Sequence, residues 1–345
     1  MGSSAVIRPV ILLAGVSASV GLTAATAQSS DTIRISGSST VHPITRSAIR
    51  EFKSTAAGAT SNFKLSETGS SAGFRQFCSG TIVLANASRP ISAKELRSCK
   101  TNNISFIELP IAFDAITVVV NPANSWANSL TVNELSRLWS KQAQGKISKW
   151  NQVNLDFPDV GIKLCGPGMD SGTFDVFNKT VNGSKTNSRT DYTSSEDDNV
   201  LVRCVMENKD ALAYFGYAYF KNNSKSLKSV KIINAEGQAT APSKQAVQDE
   251  KYQPLARPLF LYVNDQALRK NKNFRRFVIY YLRNISSLVN SSNYIPLPNS
   301  TYRLVDAKLY RHILGTSFGG DLPVGLTIGQ AIDRSFDQHK TSAHR

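Results

Sequence analysis

Three times along this chain an apolar, strand-like run passes through a loop of Gly and hydroxyl residues straight into a helical pattern. The loops are Gly37-Ser38-Ser39-Thr40, then Thr68-Gly69-Ser70-Ser71-Ala72-Gly73, then Asp170-Ser171-Gly172-Thr173. "DTIRIS" alternates as a strand does, and the helix after Pro43 shows an apolar face at Ile44, Ala48, Ile49 and Phe52. "NFKLSE" and "TIVLAN" read as further strands, followed by "AGFRQFCSG" and "SAKELRSCK" as helices. "TVNELSRLWS" opens on a capping box, Thr131 with Glu134. Strands alternating with helices predict an α/β fold with parallel strands.

A chain of 345 residues is long enough for two domains. Two segments, "ELPIAFDAITVVV" and "YQPLARPLFLYV", are apolar, extended and punctuated by Pro, which suits stiff strands crossing between lobes. They divide the chain into a first lobe at 28–113, a second at 114–257, and a return to the first, with a C-terminal tail, at 258–345. One large sheet with insertions is the competing arrangement.

Residues 1–27 read as a signal peptide. Arg8 precedes the short apolar run "PVILLAGVSASVGL", and Ala25-Thr26-Ala27 offers a small-residue cleavage site. The competing reading is an uncleaved anchor, but the run is short for a membrane span and broken by Gly and Ser. Export gives the four cysteines a meaning. An even count outside the cytoplasm suggests disulfides, with three connectivities open. Cys78 and Cys99 flank one short unit and are paired on that ground, leaving Cys165 with Cys204. Four buried thiols are the alternative.

The formal charge of +15 favours anionic partners. The basic residues are scattered, with no basic-aromatic stripe, so nucleic acid is not expected. GxxxxGK[ST] and GxGxxG are missing, which gives no support to a nucleotide loop, and no serine nucleophile elbow is read from the sequence. No cysteine spacing suits zinc, and no cofactor or metal is expected. His42 beside Ser38 and Ser39 is read as flanking a helix start rather than as a catalytic base.

The three loops share one physical design. A helix N-terminus carries unpaired N–H groups and partial positive charge, Gly lets backbone approach a ligand, and hydroxyls add directed donors. Each favours an anion, yet Ser, Thr and Asp also cap helices in the ordinary way. Three such loops with surplus hydroxyls favour one shared tetrahedral anion. Arg89 in "ANASRP" follows the third strand, where a guanidinium could hold a phosphate bidentately.

In this order, "GSSTVHP", "ETGSSAGFRQFCSG", "ANASRPIS", "FDAITVVVNP", "LCGPGMDSGTFDVF", "TSSEDDNVLV" and "RPLFLYVN" resemble the periplasmic phosphate-binding protein of the Pst-type phosphate ABC transporter, in its cyanobacterial-style branch. The likeness spans about 32 to 300. It implies a type II solute-binding protein, two α/β lobes joined by two hinge strands with phosphate held between them. Carried over by position, Ser39, Thr40 and the Val41 backbone would meet the anion from the first helix, Ser70 from the second, and Ser171, Gly172 and Thr173 from the third. The partners implied are inorganic phosphate and the membrane permease subunits, the protein acting as a monomer and not as an enzyme. Two positions depart from the better-known branch. Arg89 stands where that branch has a proton-accepting Asp, and Pro167 where it has an Arg. The acceptor then falls to Asp170 or, second, Asp198, each of which could equally be a cap. Alternatives are a binding protein for another oxyanion such as sulfate, an exported phosphate-ester hydrolase, and a signalling or adhesion role on the same fold.

Overall fold

The computed structural model describes residues 1–2, 32–321, 323 and 325–337. The expected signal segment and its cleavage site lie outside them. In the first part of the chain β1 (Ile33–Gly37), β2 (Phe63–Glu67) and β3 (Leu84–Ala87) alternate with α1 (His42–Lys53), α2 (Ser70–Cys78) and α3 (Ala93–Thr101). There follow β4 (Phe106–Val120), β5 (Ser129–Thr131), α4 (Val132–Trp139), β6 (Lys163–Pro167), α5 (Gly172–Asn182), β7 (Thr193–Ser195) and α6 (Asp198–Glu207). Next are β8 (Ala211–Gly216), α7 (Tyr217–Asn222), β9 (Lys228–Ser229), β10 (Lys231–Ile233), β11 (Ala239–Thr240), β12 (Ala256–Asn264) and β13 (Ile295–Pro296).

The main sheet runs β2-β1-β3-β12-β4-β8-β6-β7, with β9 and β13 also on β4. β1 is parallel to β2 and β3, and β6 is parallel to β7 and β8, as the βα alternation requires. A small sheet, β11-β10-β5, stands apart.

β4 and β12 join the two halves. Every residue of both strands is buried, which is why they read as continuous apolar runs. The first part of β4 pairs antiparallel with β12, and Ile116–Val120 pairs with β8. Their ladder slips between Leu259 and Phe260, where Phe260 faces Pro110. Pro has no N–H to give a ladder, so a bulge is where it fits. Ile33, Val41, Ile44 and Leu109 belong to a core on one side of the first half, and Phe74, Phe77 and Tyr262 to the other. Trp139, Phe177 and Tyr214 centre the larger core of the second half.

Both disulfides have the expected pairing. Cys78–Cys99 ties α2 to α3, and Cys165–Cys204 ties β6 to α6. Beyond the stretch matched by resemblance, Phe318 packs on Phe260 while Ala331 joins the core of the second half.

Candidate anion site

The site is built on β4 and β12. Asp114 and Arg257 are cross-strand register partners, and both are buried. Asp114 Oδ2 accepts from Arg257 Nε at 3.2 Å and from Nη2 at 2.9 Å, while Oδ1 accepts the Tyr217 N–H at 3.0 Å. A guanidinium out of water is tolerable only when paired and hydrogen-bonded, and Asp114 does both. Nη2 also donates to Thr40 Oγ1 at 3.1 Å and to Thr173 Oγ1 at 2.8 Å. Arg257 thus joins the α1 mouth to the α5 mouth. Its Nη1 is buried with no partner among the described residues.

The hydroxyls of the first two loops do not cap their helices. The N-cap of α1 is Val41 and that of α2 is Gly69, neither with a side-chain cap bond. Thr40 Oγ1 lies 3.3 Å from Thr173 Oγ1, and Ser70 Oγ lies 3.3 Å from Ser88 Oγ and accepts the Ser88 N–H at 3.1 Å. Only Ser171 caps in the ordinary sense, accepting the Thr173 N–H at 3.0 Å. Gly172 touches both serines. A Cβ there would stand 2.4 Å from Ser70 Oγ and 2.5 Å from Ser88 Oγ, so the α5 mouth reaches this close only without a side chain. Ser39 is buried, and its carbonyl accepts from Tyr219 Oη at 3.1 Å. Val41 is core. Thr40, Ser70, Gly172 and Thr173, drawn from all three loops, therefore lie together.

Arg89 and Asp170 point elsewhere. All five N–H groups of Arg89 are donated within the protein, Nε to Asp175 Oδ2 at 2.7 Å and the rest to Glu95, Ser71 and the Pro90 carbonyl. Phosphate coordination by Arg89, as expected from its place after the third strand, would need those bonds broken. Both oxygens of Asp170 accept from the exposed Arg75 at 2.7 Å. Asp198 is the opposite case. It is buried in the first turn of α6, with neither carboxyl oxygen hydrogen-bonded among the described residues. Burial holds its pKa well above the usual carboxylate range, and the Arg257 charge works against that shift.

Other shifted groups stand beside the loops, Glu67 just before Thr68 and Glu196 against Gly69. Burial raises Glu67 and Glu196 to about 7. His42, the first residue of α1, has Nε2 at 3.2 Å from Glu67, and burial lowers it to about 4.

Sequence reasoning missed Arg257, Asp114 and Ser88. The signal was present for the first two. Arg257 is the one charge in its buried run and Asp114 shares its buried run only with Glu108, placements that cost free energy unless the charge has a partner.

A family model described as a PBP superfamily domain matches residues 22–283. The chain belongs to the PBP superfamily. The family resemblance read from "GSSTVHP" through "RPLFLYVN" holds. Protein SphX of Synechocystis sp. is 42% identical over 332 residues, 96% of this chain and 96% of that one. The phosphate-binding protein PstS of Staphylococcus aureus (strain USA300) is 36% identical over 270 residues, 77% of this chain and 79% of the relative. The crystal structure of a possible phosphate binding protein from Planctomyces limnophilus DSM 3776 matches with a TM-score of 0.60 and 37% identity, over 81% of this chain and 98% of that chain. The two-lobed α/β fold expected from the sequence is the fold of this PBP-superfamily chain.

Proposed function

We propose that this protein is exported by a cleaved N-terminal signal and works in the periplasm as a monomer. There it binds inorganic phosphate between two lobes, 28–113 with 258–345 and 114–257, and hands it to the permease subunits of an ABC importer. It is a binding protein and not an enzyme. One observation carries the reading. Helix mouths from both halves of the chain meet at Arg257, whose Nη1 is buried with its hydrogens uncommitted. Arg257 supplies the countercharge that sequence position had suggested for Arg89. Thr40, Ser70, Ser88 and Thr173 give hydroxyls, Ser39 and Ser171 stand beside them, and the backbones at Val41 and Gly172 bring helix N-termini.

The Asp114–Arg257 pair is itself neutral, so the anion's charge is met by the directed N–H groups of Arg257 and by the partial positive charges of α1, α2 and α5. Asp198 in place of Asp170 serves as the partner for the phosphate proton. Its free carboxyl oxygens and raised affinity for a proton suit sharing one with hydrogen phosphate. Sulfate has no proton to share near neutral pH.

Calorimetry on the mature protein, stripped of ligand, tests the proposal. Phosphate at micromolar concentration is expected to bind with measurable heat. Arg257→Ala is expected to weaken it by about a hundredfold or more, as loss of a charged bond in a desolvated site does. A silent titration with phosphate rejects the reading.

A further inference from the structure

Arg89 is as buried as Arg257 but faces the other way, and its partners divide between the two proposed lobes. Glu95, Ser71 and Pro90 belong to the first, whereas Asp175 sits in the first turn of α5 in the second. Side-chain exposure is 1% for Arg89 and 0% for Asp175. Ser71 is drawn into the same contact, since its Oγ accepts from Arg89 Nη2 at 2.8 Å and donates to Asp175 Oδ2 at 3.3 Å. The Ser71 N–H donates to the Asp170 carbonyl at 2.9 Å. One turn along α2, Arg75 clasps Asp170 through two bonds of 2.7 Å, with both side chains well exposed. Five side chains and one backbone bond therefore tie α2 and the segment after β3 to the mouth of α5.

Each buried partner also has a second counter-ion in its own lobe. Arg89 keeps Glu95 through two bonds of 2.7 and 2.9 Å, and the Arg89 guanidinium lies 5.1 Å from the Phe74 ring centroid. Asp175 Oδ1 lies 3.3 Å from Lys185 Nζ, a half-exposed group able to follow it. A buried pair with no such reserve is costly to separate, because a lone charge is left behind. Here separation strands neither charge.

We infer that Arg89 and Asp175, flanked by Arg75 and Asp170, are positioning residues that form a reversible latch between α2 and α5 and set how long the cleft stays closed. The inference rests on the two-lobe binding reading above. The latch touches the site only through its neighbours, since Ser71 follows Ser70, and Asp170 and Asp175 flank Ser171-Gly172-Thr173. It acts after encounter, so it governs release more than capture.

Asp175→Asn keeps the side-chain size and removes the charge. In stopped flow its phosphate release is expected to be about tenfold faster or more, with association within about twofold of wild type, the pattern for loss of a buried charge pair. A merely structural role would lower the melting temperature without dividing the two rates in this way. Arg75→Gln breaks only the exposed pair and poses little risk to folding. It is expected to speed release about two- to threefold at low ionic strength, an effect that salt abolishes. Ligand-free small-angle scattering supplies the arm independent of phosphate, with Asp175→Asn expected to show the larger radius of gyration. If wild type fails to bind phosphate, the functional reading falls while the scattering comparison still decides the latch. Release rates and radii equal to wild type in both variants overturn it. Should Asp175→Asn not fold, Arg75→Gln release, or its radius where phosphate does not bind, decides alone.

Discussion

Arg257 is a guanidinium held almost wholly out of water, and Asp114 makes that burial tolerable by accepting two of its five N–H groups. The fork is thereby fixed in one orientation, with Nη1 unspent. Asp198 has the reverse character, a buried acid whose hydrogen-bonding capacity is entirely unused. In the proposed function these two residues divide the recognition task. A fixed cation attracts any oxyanion, whereas a carboxyl that shares a proton rewards one that carries it. Asp198→Asn is accordingly expected to lower the phosphate-to-sulfate affinity ratio about ten- to a hundredfold, the worth of one buried bond to a charged group. Parallel titrations with the two anions check this, and an unchanged ratio removes Asp198 from the selective role.

Among the elements, the three helix mouths look alike in sequence and differ in use. Ser171 spends its hydroxyl on capping α5, whereas Thr40 accepts from Arg257 and Ser70 pairs with Ser88 in its own half. The difference lies at the N-caps. Val41 and Gly69 have no side-chain bond to give, so the hydroxyls beside them are free for other partners. Close approach then depends on Gly172. Gly172→Ala adds one methyl where Ser70 Oγ and Ser88 Oγ already stand within 2.5 Å of its position. The variant is expected to keep its melting temperature within a few degrees and yet bind phosphate about tenfold more weakly or worse, because closure and not folding meets the clash. Circular dichroism melts alongside calorimetry separate those outcomes. At the same scale β4 and β12 act as rails, placing Asp114 opposite Arg257 and carrying each half of the sheet.

At the level of the whole molecule, each half has its own disulfide, and neither bond crosses between halves. They stiffen each half without tying one to the other. The closed loops span 21 and 39 residues. On a chain-entropy basis each contributes about 3–4 kcal/mol at 25 °C through the unfolded state. Cys165→Ala/Cys204→Ala is expected to lower unfolding stability by about that amount while leaving phosphate affinity within about twofold, since neither cysteine approaches the anion site. Denaturant melts and calorimetry on the same sample provide the check, and an unchanged denaturation midpoint would contradict it. The charge excess works at this scale too, speeding encounter with an anion without choosing which anion binds.

The sequence by itself determined the α/β class, the three Gly-hydroxyl loops, both disulfide pairings and the two apolar crossings. Each is local or strictly ordered along the chain, and local chemistry acts before the chain has folded. Ser70, Gly172 and Thr173 were legible as residues of Gly-hydroxyl helix starts, although such starts also serve simply as caps. Only the tertiary structure decided which arginine meets the helix mouths. Arg89 stands beside the expected loop, and Arg257 lies in a run that read as plain strand. Their fates were exchanged by the partners the fold supplies. Asp175, Glu95, Ser71 and the Pro90 carbonyl together claim every donor of Arg89, while Asp114 claims only part of Arg257. A guanidinium binds wherever its geometry is first satisfied, and that is set by residues brought together through the fold and not by those next to it in the chain.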